Sequence, residues 1–169
     1  RKVFNHCDYI AVNISSPNTP QLRDLHSDDN IRELLDAIKN ESQKLGTFKP
    51  IFLKISPDES NETIENISNL IELSSLSGLI VSNTTLDKSS LNKSKKNFEG
   101  GLSGAPLMKK STEMIKKIST KHPSMPIIGV GGVLKKDDFL KKIEFGASLV
   151  QIYSGFIIKG PKIVNEILQ

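Results

Sequence analysis

The stretch IFLKISPDESNETIENISNLIELSSLSGLIVSNTT, residues 51–85, carries one full repeat of the pattern that decides the fold. It opens on a short apolar run, Ile51 to Ile55, and closes on another, Gly78 to Ser82. Between them Ile64, Ile67, Leu70 and Ile71 recur at the three- and four-residue spacing of a helix with one apolar face. Two strands separated by a helix need a crossover connection, and a crossover joins parallel strands.

The same unit recurs on both sides. Upstream, Tyr9 to Val12 reads as a strand, followed by SDDNIRELLDAIKNESQKLG, residues 27–46, with Ile31, Leu34, Leu35 and Ile38 on one face, acids near its start and Gly46 at its end. Downstream, strands are expected at Pro126 to Val130 and Ser148 to Tyr153, with helices at Ser111 to Lys121, Asp137 to Phe145 and around Lys162 to Leu168. Five apolar strands alternating with helices give an α/β protein with a parallel sheet, either covered on both faces or closed into a barrel.

Composition narrows the function class. At 169 residues with 37% hydrophobic content, the chain supports one core and no separate linker-joined domains. The net charge of +4 comes from lysines scattered in short runs such as LKK and KKIE, which read as solvated helix faces and not as a nucleic-acid surface. One cysteine, Cys7, excludes an intramolecular disulfide and fits a reducing compartment, and three scattered histidines suggest no metal site. The apolar runs fall well short of the roughly 18 residues a membrane helix requires. No signal peptide is visible at the start, and the missing initiator Met suggests a piece of a longer protein.

Each strand runs into small or hydrogen-bonding residues: VNISSPNTP, residues 12–20, then Lys54, then SNTT, GVGG and YSG. In parallel α/β folds ligands bind at that carboxyl edge. Gly131 and Gly132, with Gly100, Gly101 and Gly104 in GGLSGAPL, serve either as turn punctuation or as backbone donors around a phosphate. Lys54 is a charge inside an apolar strand, which either reaches water or faces an anion. Asn83 and Thr84 suit a turn but also suit a ring bearing amide groups. Ser16, with no histidine nearby and no nucleophile elbow, reads on local grounds as a turn serine. The stretch Leu86 to Gly101 is long enough for a mobile lid, and its composition equally fits a disordered excursion.

The words VNISSPNTPQLRDL, LKISPD, VSNTTLD, GGLSGAPL, PIIGVGG and GASLVQIYSGFIIKGP, in this order, resemble the quinone-reducing class of dihydroorotate dehydrogenases from Asp8 onward. The resemblance implies an FMN-binding (β/α)8 TIM barrel of which residues 1–169 are the carboxyl-terminal part, covering strands four to eight. A typical barrel takes about 250 residues, so the first three strands and an amino-terminal membrane- and quinone-contacting segment lie outside this chain. The implied activity is oxidation of dihydroorotate to orotate in pyrimidine synthesis, with quinone as final acceptor. The implied location is peripheral, on a bacterial cytoplasmic or mitochondrial inner membrane.

Residue by residue, the resemblance makes Ser16 the catalytic base, where the soluble class has cysteine. It puts Asn13 on both flavin and substrate, and Asn18, Asn83 and Thr84 on the pyrimidine. Lys54, Ser82, Gly104, Gly132, Tyr153 and Ser154 fall on flavin-binding positions. Gln21 stands where the family usually has glycine. Two alternatives remain open: a soluble-class FMN barrel using fumarate or NAD, and, for the chain by itself, a non-catalytic phosphate-binding half-barrel.

Overall fold

In a computed structural model, residues 2–16, 28–46, 49–72, 74, 76–92, 97 and 99–169 are described. Five strands form one sheet: β1 (Ile10–Asn13), β2 (Ile51–Ile55), β3 (Gly78–Val81), β4 (Ile127–Val130) and β5 (Leu149–Gln151). The helices between and after them are α1 (Asp28–Leu45), α2 (Asn61–Glu72), α3 (Met108–Lys121), α4 (Lys136–Glu144), α5 (Ser154–Lys159) and α6 (Lys162–Leu168). Single 3-10 turns at Phe4–His6 and Ala105–Leu107 precede β1 and α3.

Every neighbouring pair is parallel, and the spatial order β1-β2-β3-β4-β5 is the chain order. That order settles the choice between an open sheet and a barrel. A doubly wound sheet reverses direction once, which sends helices to both faces. Here the chain never reverses, so right-handed crossovers place the helices on one face and leave the other to line an interior.

The side-chain alternation agrees. Leu53, Ile55, Leu79, Val81 and Ile127 turn outward into the main core with Ile31 and Leu35 of α1, Ile67 and Leu70 of α2, and Met114, Ile115 and Ile118 of α3. Residues of the opposite parity, Phe52, Ile80 and Ile128 with Val130, form a second cluster on the inner face. Lys54 has the parity of Phe52 and lies between Asn13 and Ile80 in register, so the one charge in these strands belongs to the inner face.

Three expectations are corrected. The last strand stops at Gln151, not Tyr153, and the chain turns at Tyr153 (φ −129°, ψ −70°) into α5, a helix that the unbroken apolar run of residues 155–158 conceals. Gly155 lets α5 sit tightly on the preceding unit, since a Cβ there would fall 2.5 Å from the Val133 carbonyl oxygen. Helix α3 begins three residues earlier than its apolar face suggests, at Met108, because the 3-10 turn at Ala105–Leu107 leads into it. Finally, Lys142 in the run read as a solvated lysine face is fully buried.

Candidate functional site

The carboxyl edge of the sheet is tied together by side chains that stop where the strands stop. Asn83, two residues past β3, donates from Nδ2 to Asn13 Oδ1 (3.1 Å) and to Ser15 Oγ (3.2 Å). Ser15 is fully buried and donates its hydroxyl to the Lys54 carbonyl oxygen (2.8 Å). Backbone bonds continue the stitching, from Asn83 N–H to Ile55 O (2.8 Å) and from Ser82 N–H to Val130 O (3.2 Å). Four strand ends are thereby held in one layer, which fixes where the polar groups between them point.

Beside this layer lies a cleft of about 230 Å³ lined by Lys54, Ser82, Asn83, Thr84, Gly104, Gly132, Tyr153 and Ser154 together with Ser103, Leu107, Gly131 and Gln151. Nine of the residues singled out in the sequence, Gly131 among them, thus meet around one space. Asn13 joins them through its bond from Asn83. Ser16 is half-buried three residues past β1, directly after Ser15. Asn18 and Gln21 lie outside the described residues. A larger groove of about 460 Å³ between α2 and α3 opens on the helix side, away from the strand ends.

Electrostatics differ across the cleft. Burial holds the Lys54 ammonium below the usual lysine range, because a charged amine loses hydration on the inner face. Ser82 is buried and donates to the Asn83 carbonyl oxygen (3.1 Å), while Thr84 N–H caps Asn83 Oδ1 (2.8 Å). At the opposite wall, Gly131 (φ 110°) and Gly132 (φ 79°) make a left-handed turn pressed onto the start of α3. A Cβ on Gly132 would fall 2.6 Å from the Met108 backbone nitrogen, so this approach admits only glycine. The first turn of α3 carries no acid, and its dipole favours an anion.

A second polar cluster fastens the loop that follows β3. Thr85 and Leu102 exchange both backbone hydrogen bonds (3.1 and 2.7 Å), closing the base of residues 86–101. Asp58 accepts from Lys110 Nζ (2.6 Å), Leu86 N–H (2.8 Å) and the Thr85 hydroxyl. Burial pushes the Asp58 carboxyl up, but the bonds from Lys110, Thr85 and Leu86 together outweigh it and hold the group below its ordinary range.

Sequence reasoning missed Ser15, Gln151 and the Asp58–Lys110 pair. The doubled serine in NISSPN marked the place but not which serine carries the packing. Among the described residues no group of three potential metal ligands comes together, and no helix is long and apolar enough to cross a membrane.

Comparison with known proteins gives a consistent answer. The family model described as dihydroorotate dehydrogenase matches residues 1–169. A dihydroorotate dehydrogenase (quinone) of Christiangramia forsetii is 42% identical over 168 residues, covering 99% of this chain and 49% of that protein. One from Shewanella oneidensis is 47% identical over 174 residues, covering 99% and 51%. The crystal structure of a ligand-free dihydroorotate dehydrogenase from Eimeria tenella superposes with a TM-score of 0.89 at 34% identity, over 95% of this chain and 49% of that one. The chain therefore spans about half the length of the relatives it matches. With its parallel α/β arc and a match that runs its whole length, the chain belongs to the dihydroorotate dehydrogenase family.

Proposed function

We propose that this chain is the carboxyl-terminal part, strands four to eight, of an FMN-dependent barrel enzyme that oxidises dihydroorotate to orotate in pyrimidine synthesis and passes the electrons to a quinone. The observation that carries the reading is the joining of Asn13, Ser15 and Asn83 beside Lys54 at one strand edge, next to a glycine turn on a helix start. Amide groups that suit a pyrimidine and a backbone cradle that suits a phosphate then share one cleft.

The residues present fit FMN. Gly132 packs closely against the Met108 backbone at the α3 start, with Gly104, Tyr153 and Ser154 lining the same cleft as the remaining phosphate-side contacts. Ser154 is positioned by a hydroxyl bond with Ser103 (3.0 Å). Bound FMN supplies a hydride acceptor. Lys54 places a desolvated cation on the inner face, where it stabilises negative charge developing in the cleft. Ser82 completes the flavin side, and Asn13 serves both flavin and substrate.

Asn18, Asn83 and Thr84 orient the pyrimidine ring and its carboxylate. Ser16 Oγ takes the proton from C5 of dihydroorotate. A serine hydroxyl is a weak base, so the site must pass its proton along a hydrogen-bonded path. The parent protein sits peripherally on a bacterial cytoplasmic or mitochondrial inner membrane, through a segment outside this chain.

The test is acceptor choice. The full-length enzyme containing this chain is expected to turn over dihydroorotate with a soluble quinone and not with fumarate or NAD. Preference for fumarate or NAD would move it to the soluble class, and no turnover with any of the three would remove the activity.

A further inference from the structure

Lys142 is the most buried charged side chain among the described residues, with no exposed surface. It enters the outer layer from α4 and lays its stem over β4, where a Cβ on Gly129 would meet its Cδ at 3.1 Å. Its ammonium donates to two hydroxyls near the start of α3, Ser111 Oγ (2.8 Å) and Thr112 Oγ1 (3.2 Å). Neither is an anion. Asp138 acts on it through space, but Asp138 Oδ2 accepts from Leu134 N–H (3.0 Å). Burial lowers the lysine to about 8, which leaves it mostly charged at neutral pH.

A buried cation hydrogen-bonded only to neutral hydroxyls is costly, because no paired anion replaces the hydration it loses. The hydrogen-bond path shows where the field is directed. Ser111 Oγ, having accepted from Lys142, donates to the Gly131 carbonyl oxygen or to that of Met108 (3.3 Å each). A Cβ on Gly131 would lie 3.0 Å from the same Oγ. Lys142 therefore stands two bonds behind the glycine turn that lines the cleft. Its charge has the same sign as the dipole at the α3 start, and the first turn of that helix holds no acid to cancel either.

We propose that Lys142 is a positioning residue for the phosphate group of the ligand in this cleft: from behind, through Ser111, it fixes the Gly131 turn and adds positive potential to the backbone cradle. The inference rests on the flavin reading above and specifies which part of the ligand Lys142 serves. It never touches the ligand. Its effect falls on a phosphate dianion and spares a ligand that lacks one.

The test compares FMN with riboflavin, which has the same ring and no phosphate, by fluorescence titration of the full-length apoenzyme. Lys142→Met is expected to weaken FMN at least about tenfold while riboflavin affinity stays within about twofold. Ser111→Ala keeps the ammonium, cuts the link to the turn, and is expected to weaken FMN selectively by roughly threefold. If Lys142→Met proves too unstable to assay, the Ser111→Ala titration decides alone. Equal losses of FMN and riboflavin, or no FMN loss in a folded variant, would overturn the proposal. A wild-type protein that does not prefer FMN over riboflavin would overturn the phosphate reading of the cleft itself, and this inference with it.

Discussion

Ser15 and Ser16 are neighbours with separate work, and the pair illustrates how residue-scale physics divides structure from chemistry. Ser15 has no exposed surface, and its hydroxyl is committed to the Lys54 carbonyl while accepting from Asn83. Ser15→Ala should leave the buried Lys54 carbonyl short of a donor and lower stability by about 1–3 kcal/mol in chemical denaturation. Ser16, the next residue, is half-buried. Ser16→Ala in the full-length enzyme should hold FMN normally yet slow flavin reduction by about 10² to 10⁴. Little of this division could be read locally, because Ser15 is tied to a carbonyl 39 residues away and to an amide 68 residues away. Lys54 was legible, since a charge inside IFLKI has few places to go other than a ligand edge or solvent.

At the scale of elements, the turn between β4 and α4 and the clasp at the loop after β3 carry the testable consequences. Gly132→Ala asks a side chain to adopt φ 79° and to approach the Met108 backbone at 2.6 Å. It should cost of order 1–3 kcal/mol in folding and weaken FMN binding through displacement of the α3 start, measured by thermal melting and flavin titration. The Asp58 clasp has a pH signature. Its folded pKa is lowered, so the stabilisation is complete above the ordinary carboxylate range and is lost as pH falls through the lowered value. Limited proteolysis within residues 86–101 should accelerate in that acid window, and Asp58→Asn should show the faster cleavage already at neutral pH. Helices α1 and α2 were legible from their apolar faces, whereas α5 was not. Its run GFII has no period, and its placement depends on Gly155 meeting the Val133 carbonyl, a contact without local trace.

At the scale of the whole molecule, the strand rhythm told of parallel βα units but left open an open sheet or a barrel. The unreversed strand order decides that point, and it is a property of space and not of any segment. One end of the arc leaves Leu149, Tyr153, Ile157, Ile158 and Leu168 more than half exposed. Apolar surface on that scale is covered in stable proteins, and the matched relatives are about twice this chain's length. Residues 1–169 alone are therefore expected to self-associate on size-exclusion chromatography, to purify without colour and to show no turnover, while the full-length enzyme is dispersed and yellow. A yellow, active 169-residue protein would refute that expectation. In the proposed enzyme the strand edge bearing Asn13, Ser16, Lys54 and Asn83 brings dihydroorotate to a flavin. The most direct measurement is anaerobic mixing of full-length enzyme with dihydroorotate, followed by visible absorption. Rapid bleaching of the flavin is expected, and a flavin-loaded enzyme that stays yellow would rule out the proposed activity.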